Sequence, residues 1–157
     1  MIYVFDNSSI SNLKHFYPEV FSSVWQGLEV LIQEEKLVST REVWNELERG
    51  SPTPHVNEWL KQRKHIFTTP TNEELLFVAE IFKVKHFRSL IGRQQQLKGT
   101  PVADPFVIAC AKVKKDGVVV TEESLKDNAA KIPNVCKYFG IRCINLKAFM
   151  QEQGWKF

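Results

Sequence analysis

Four acidic residues in this chain sit where an α/β sheet can bring functional groups to one point. Asp6 closes the apolar segment Ile2-Tyr3-Val4-Phe5, Glu46 lies in Val43-Trp44-Asn45-Glu46-Leu47, Asp104 opens Asp104-Pro105-Phe106-Val107, and Glu123 follows Val118-Val119-Val120-Thr121. Clustered carboxylates without a nearby base repel one another and serve structure poorly. They suit an oxygen cage for a hard divalent cation, Mg2+ or Mn2+, which takes carboxylate and water oxygens. Ser8, two residues after Asp6, adds a hydroxyl that would support a bound water or metal.

Each acid also has an ordinary explanation. Asp6 would serve the turn Asn7-Ser8-Ser9, since Asp is a common turn and cap residue. Glu46 falls at the edge of the stripe that buries Val43 and Leu47, where a carboxylate needs a cation or must lean out to solvent or towards Arg49. Asp104 followed by Pro105 reads as a helix N-cap with proline at the first helical position. Glu123 reads as a loop residue, and Glu122 beside it competes for any functional role.

The elements that must position these acids follow from period and punctuation. Ile2-Tyr3-Val4-Phe5 is a strand buried on both sides, as is Val118-Val119-Val120-Thr121, and Ile141-Arg142-Cys143-Ile144-Asn145 is a third. Val20, Val24, Leu28, Leu31 and Ile32 recur at helical spacing over residues 18–35, followed by a short extended piece at Leu37-Val38. Ser39 with Glu42 makes a capping box for a helix that runs to Arg49, where Gly50-Ser51-Pro52 stops it. A short helix over 56–63 leads to the extended Ile66-Phe67-Thr68. Thr71 with Glu74 then starts the longest helix, carrying Leu75, Val78, Ala79 and Phe82, continuing less regularly through Phe87, Leu90 and Ile91, weak at Gly92 and closed by Gly99. The segment from Val102 to Ala111 is apolar nearly all round and suits a helix buried against a sheet, with Lys112, Lys114 and Lys115 favoured at its C-terminus. A last helix starts near Leu146. Strands alternating with helices imply parallel crossovers, a three-layer α/β sandwich around a central parallel sheet, and a site at the carboxyl ends of the strands.

The totals narrow the class. A chain of 157 residues fits one domain, 1–157, with a sizeable core. Its 43% hydrophobic and 25% charged residues are ordinary for a globular protein, and no apolar run approaches the ~20 residues of a membrane span. The N-terminus lacks the pattern of a secretory signal, so a soluble, cytoplasmic protein without a membrane partner is expected. Cys110, Cys136 and Cys143 lack the spacing of a disulfide framework or a zinc site and read as reduced thiols. A net charge of +3 leans only weakly towards polyanions. Two local basic clusters say more: Lys61, Arg63, Lys64 and His65 in one, and Lys83, Lys85, His86, Arg88, Arg93 and Lys98 in the other. The four Trp residues are more often core than stacking platform.

In order and spacing, Asp6 with Ser8, Val43-Trp44-Asn45-Glu46-Leu47, Ala103-Asp104-Pro105-Phe106-Val107-Ile108-Ala109-Cys110-Ala111 and Val119-Val120-Thr121-Glu122-Glu123 resemble the PIN-domain ribonucleases, and among them the PIN-like toxins of toxin–antitoxin pairs, the VapC-like group. The likeness spans essentially the whole chain. It implies a PIN-like fold and a metal-dependent endoribonuclease that hydrolyses RNA phosphodiester bonds using Mg2+ or Mn2+. It places catalytic roles on Asp6, Glu46, Asp104 and Glu123, metal ligation on Asp6, Asp104 and Glu123, and supporting hydroxyls on Ser8 and Thr121. Lys61, Arg63, Lys64, Lys85, Arg88 and Arg93 would hold the RNA backbone. An antitoxin protein and a homodimer are the implied partners. Two departures stand out: the family usually has Asp where this chain has Glu123, and Asn7-Ser8-Ser9 varies the usual opening. Two rival readings remain, a non-catalytic PIN-like module that binds RNA or protein, and a phosphatase using Asp6 as a covalent nucleophile. The latter class normally carries a second Asp where this chain has Ser8.

Overall fold

The computed structural model describes residues 1–50, 53–90 and 102–156. Five strands, β1 (Ile2–Phe5), β2 (Leu37–Thr40), β3 (Phe67–Thr68), β4 (Gly117–Val120) and β5 (Arg142–Ile144), pair in parallel in the order β3-β2-β1-β4-β5. Helices connect them, as parallel pairing requires. They are α1 (Asn7–Asn12), α2 (Ser22–Gln33), α3 (Arg41–Arg49), α4 (Pro54–Lys61), α5 (Asn72–Lys83), α6 (Asp104–Val113), α7 (Ile132–Phe139) and α8 (Leu146–Glu152), with 3-10 turns at Leu13–His15, Lys64–Ile66 and Lys85–Leu90. The chain builds outward from β1 through β2 to β3, then crosses to β4 and β5 on the other side. The order therefore reverses between β1 and β4, which opens a crevice at the carboxyl ends of those two strands.

The central strands are buried because both faces are covered. Val4, Phe5, Val119 and Val120 are inaccessible, and α6, apolar through Val107, Ile108, Ala109 and Cys110, packs along β1, β2 and β4. Tyr3 and Phe5, two residues apart and so on one face, both meet the Phe149 ring of α8 edge-on, at centroid distances of 4.9 and 5.0 Å. Gly117 opens β4 because nothing larger fits: a Cβ there would overlap the backbone carbonyl of Ala111. Backbone cannot swing aside as a side chain can. Gly117→Ala should therefore cost about 2–3 kcal/mol in urea unfolding, the upper part of the overpacking range.

Several local expectations are corrected. Thr40, not Ser39, caps α3, accepting from the Val43 N–H at 3.4 Å. Ser39 stays in the sheet, paired with Phe67, and its hydroxyl donates to Phe5 O at 2.6 Å. Glu42 turns to Arg41 instead of closing a capping box. Thr71 and Glu74 do form the expected box: the Thr71 hydroxyl accepts from Glu74 N–H, and the Glu74 carboxylate accepts from the Thr71 backbone. The first long helix begins only at Ser22, and Val20, outside it, is 72% exposed. α5 ends at Lys83, where Val84 turns extended, so it equals α2 at 12 residues, and Leu75 faces outward. Gly92 and Gly99 lie outside the described residues. β5 is a half-buried edge strand, because β4 is its only neighbour among the described residues. α1 forms where Asn7-Ser8-Ser9 suggests a turn, and α7 is a further helix between β4 and β5. The described cysteines are free thiols, Cys143 only partly buried. Among the described residues no helix is long and apolar enough to cross a membrane.

Candidate functional site

Asp6 follows β1 directly, and its N–H still bonds to Val120 O at 3.1 Å, so it stands at the rim of the β1/β4 crevice. It caps α1: Oδ1 accepts from the Ser9 N–H at 2.8 Å. Two hydroxyls converge on the same carboxylate. Ser8 Oγ lies 2.9 and 2.8 Å from its two oxygens, and Thr121 Oγ1 donates to Oδ2 at 2.5 Å. Both hydroxyls accept backbone N–H groups from behind, Ser8 from Glu122 at 2.9 Å and Thr121 from Glu123 at 3.1 Å. With lone pairs so engaged, their protons are turned towards Asp6. The carboxylate is thereby fixed in plane and position at 4% exposure.

Asp104 is the first residue of α6. It does not cap that helix, since Ala103 occupies the cap position and Pro105 the second turn position, with no side-chain bond. The expected structural duty is therefore absent. Its carboxyl is pushed up from 3.8 to about 7, first by burial and then by Glu123, Glu46 and Asp6, with Lys131 opposing. Glu46 sits on α3. Burial raises it most, bonds from the Ala103 N–H and from Asn7 oppose this, and Asp6 and Glu123 add repulsion. Its Oε2 lies 3.3 Å from Ala103 N. The fourth acid, Glu123, anchors Oε2 on the Ile132 N–H at 2.9 Å, the start of α7. Its neighbour Glu122 turns the other way, accepting from Leu146 N–H at 2.7 Å. All four predicted acids thus act on one another in one crevice, and Glu123, not Glu122, belongs to it.

The predicted cations divide. Lys61 stands beside Glu58, and Lys64 lies over the Trp44 ring at 4.9 Å. Arg63 is held by Glu29 and stacks on Trp59 at 5.0 Å, so it braces α2 against α4. Lys85 and Arg88 are exposed on the turn after α5, where Arg88 Nε donates to Phe82 O at 2.9 Å. Arg93 lies outside the described residues. Three contributors were not foreseen: Asn7, which bonds Glu46, the Ala103 N–H, and Lys131. Asn7 is legible as the neighbour of Asp6, but Lys131 joins the crevice only through α7.

Among the described residues no three His, Cys, Asp or Glu side chains stand at ready-made metal spacing. The donor chemistry nonetheless fits Mg2+ or Mn2+: the crevice offers hard carboxylate and hydroxyl oxygens, with neither thiolate nor imidazole among the named groups. Glu46 and Glu123 each tie Oε2 to a backbone N–H. Burial and repulsion of the acids are the penalty that a bound cation removes.

An all-parallel five-stranded sheet with its acids gathered at the strand-order reversal defines an α/β protein of PIN-like topology. Within that class, the chain belongs to the family described as a domain of unknown function, DUF4411, whose model matches residues 3–157. No curated protein and no solved structure matches the chain.

Proposed function

We propose that this protein is a metal-dependent endoribonuclease that hydrolyses RNA phosphodiester bonds in the β1/β4 crevice, and that it is the toxin of a toxin–antitoxin pair, with the antitoxin covering the acids. The observation that carries this reading is Asp104: partly buried, relieved of capping, and loaded by three other carboxylates. A fold gains nothing from such a group unless a cation is to meet it. Asp6, Asp104 and Glu123 would hold the ion. Bound there, Mg2+ or Mn2+ supplies an acidified water and neutralises charge gathering on the phosphate. Ser8 and Thr121 hold Asp6 in place. Glu46, its pKa raised and its orientation set by Asn7 and the Ala103 N–H, is suited to moving a proton between water and the leaving oxygen.

The test is direct. With single-stranded RNA and Mn2+ the parent should cut, and Asp6→Asn and Asp104→Asn should each cut slower by about 1,000-fold, the ~4 kcal/mol scale of transition-state stabilisation by a bound ion. Parent-like rates in both variants would remove the nuclease reading.

A further inference from the structure

Beside Glu46 the surface opens into a cavity of about 150 Å³ between α1, α3 and α4. One wall is a stripe at helical spacing, Asn7, Ser11 and Lys14, running along α1 and the turn after it. Ser11 Oγ donates to Asn7 Oδ1 at 2.9 Å, and Asn7 in turn bonds Glu46, so a polar chain links the cavity to the acids. Leu47 and Asn57 close the far side and also line a second cavity of about 180 Å³, completed by Trp44, Glu48 and Lys61. Lys64 lies over the Trp44 ring, 4.9 Å from its centroid. Sharing Leu47 and Asn57 as walls, the two cavities adjoin as a groove between α3 and α4, and Glu46 lines the first of them.

We infer that this groove holds the bases of single-stranded RNA as the strand leaves the acidic crevice, with Lys14, Lys61 and Lys64 along its phosphates. The inference rests on the nuclease reading and adds a binding site for its substrate outside the four acids. Each cavity has several times the ~30 Å³ of a water, yet falls well below the roughly 300–1,000 Å³ of a drug-sized ligand site. Each therefore suits one flat, unstacked base. Walls of Leu47 and the Trp44 ring offer apolar surface to the base, while Asn57 and Glu48 present the acceptors and donors that base edges carry. Duplex RNA keeps its bases stacked inside and cannot fill such pits. Lysines flanking the groove complement a polyanion, and Lys14 forms no ion pair among the described residues.

The experiment measures binding of a fluorescein-labelled 12-nucleotide single-stranded RNA by anisotropy in EDTA, so that cutting and binding are read separately. Lys14→Ala combined with Lys64→Ala should weaken binding about 10-fold, and the slope of log K against log salt should fall by roughly 0.7 per lysine. Trp44→Phe should abolish most of the quenching that the RNA causes in the parent's tryptophan emission. Parent-like affinity in the lysine variant, equally tight binding of the matched duplex, or displacement of the RNA by polyglutamate as readily as by unlabelled RNA would each overturn the inference. The last result would mark the groove as a seat for an acidic protein segment. A parent that binds in this way but cuts nothing with Mn2+ loses the nuclease reading and keeps the groove. One that cuts while its groove variants bind unchanged does the reverse.

Discussion

Asp104→Asn is expected to slow RNA cutting about 1,000-fold and, in the same molecule, to make the metal-free protein harder to unfold above pH 7. The two effects share one cause. Asparagine keeps the shape of the side chain and removes the charge that burial, Glu123, Glu46 and Asp6 all oppose. A carboxyl raised from 3.8 to about 7 keeps its proton in the folded state at pH values where the unfolded chain has released it. Between those limits the native protein binds more protons, so stability falls as pH rises, and the cost is complete above the folded value. At 1.36 kcal/mol per pKa unit, the shift would amount to about 4 kcal/mol, and partial exposure with relaxation reduces the expected gain of the variant to about 1–3 kcal/mol. Urea unfolding in EDTA at pH 5 and pH 8 measures it. The parent should lose stability between the two, and the variant should lose less. A variant no more stable than the parent at pH 8 would show that Asp104 carries no such strain.

The fold was legible where both faces of a strand are covered, because the code there is simple. Ile2-Tyr3-Val4-Phe5 and Gly117-Val118-Val119-Val120 are continuous apolar runs, and such runs admit little besides a central parallel strand. At the margins the signals were shared. Ser39 and Thr40 both have N-cap chemistry, and only the pairing of Ser39 with Phe67 across β2 and β3 decides between them. α1 was hidden because Asn7-Ser8-Ser9 has turn composition; the bond from Ser9 N–H to Asp6 and the packing of Ile10 make it helical. For α7, Pro133 and Asn134 near its start masked a helix whose apolar face, Ile132, Val135 and Cys136, is fully buried. α5 stopped earlier than its period suggested, since Val84 turns extended before Phe87 is buried.

The acids were legible for a different reason. Asp6, Asp104 and Glu123 each follow or open an element whose end is fixed by hydrophobicity, which locates the carboxylate at its tip, whereas Glu46 lies within α3 at the edge of its apolar stripe. What sequence could not supply was which oxygen goes where. Glu122 and Glu123 are equivalent in sequence, and they part because the Leu146 N–H at the start of α8 takes the first and the Ile132 N–H at the start of α7 takes the second. Asp104 and Pro105 read as a cap pair, yet the cap falls one residue sooner, on Ala103, and Asp104 is already the first helical residue, with no capping bond from its side chain. The basic residues were the least legible. Charge says nothing about partners, and Arg63 is taken by Glu29 and Trp59 while Lys64, one residue on, reaches Trp44 beside the α3/α4 groove.

Millimolar Mn2+ should raise the melting temperature, and should do so more at pH 8 than at pH 6. A cation can join Asp104 only after its proton leaves, and with a pKa of about 7 that proton is present at pH 6 and largely gone at pH 8. Each proton displaced costs up to tenfold in apparent affinity per pH unit below the pKa, and the raised Glu46 acts in the same direction. At an ion concentration about 100 times its dissociation constant the native state gains about 2.7 kcal/mol, and a tenfold weaker site at pH 6 gives up about 1.4 kcal/mol of that. For a chain of this size 1 kcal/mol moves the transition by about 2–4 °C, so the expected shifts are about 5–10 °C at pH 8 and roughly half that at pH 6. Asp104→Asn should show neither. An equal shift at both pH values, or one that survives in Asp104→Asn, would place the ion somewhere other than beside Asp104.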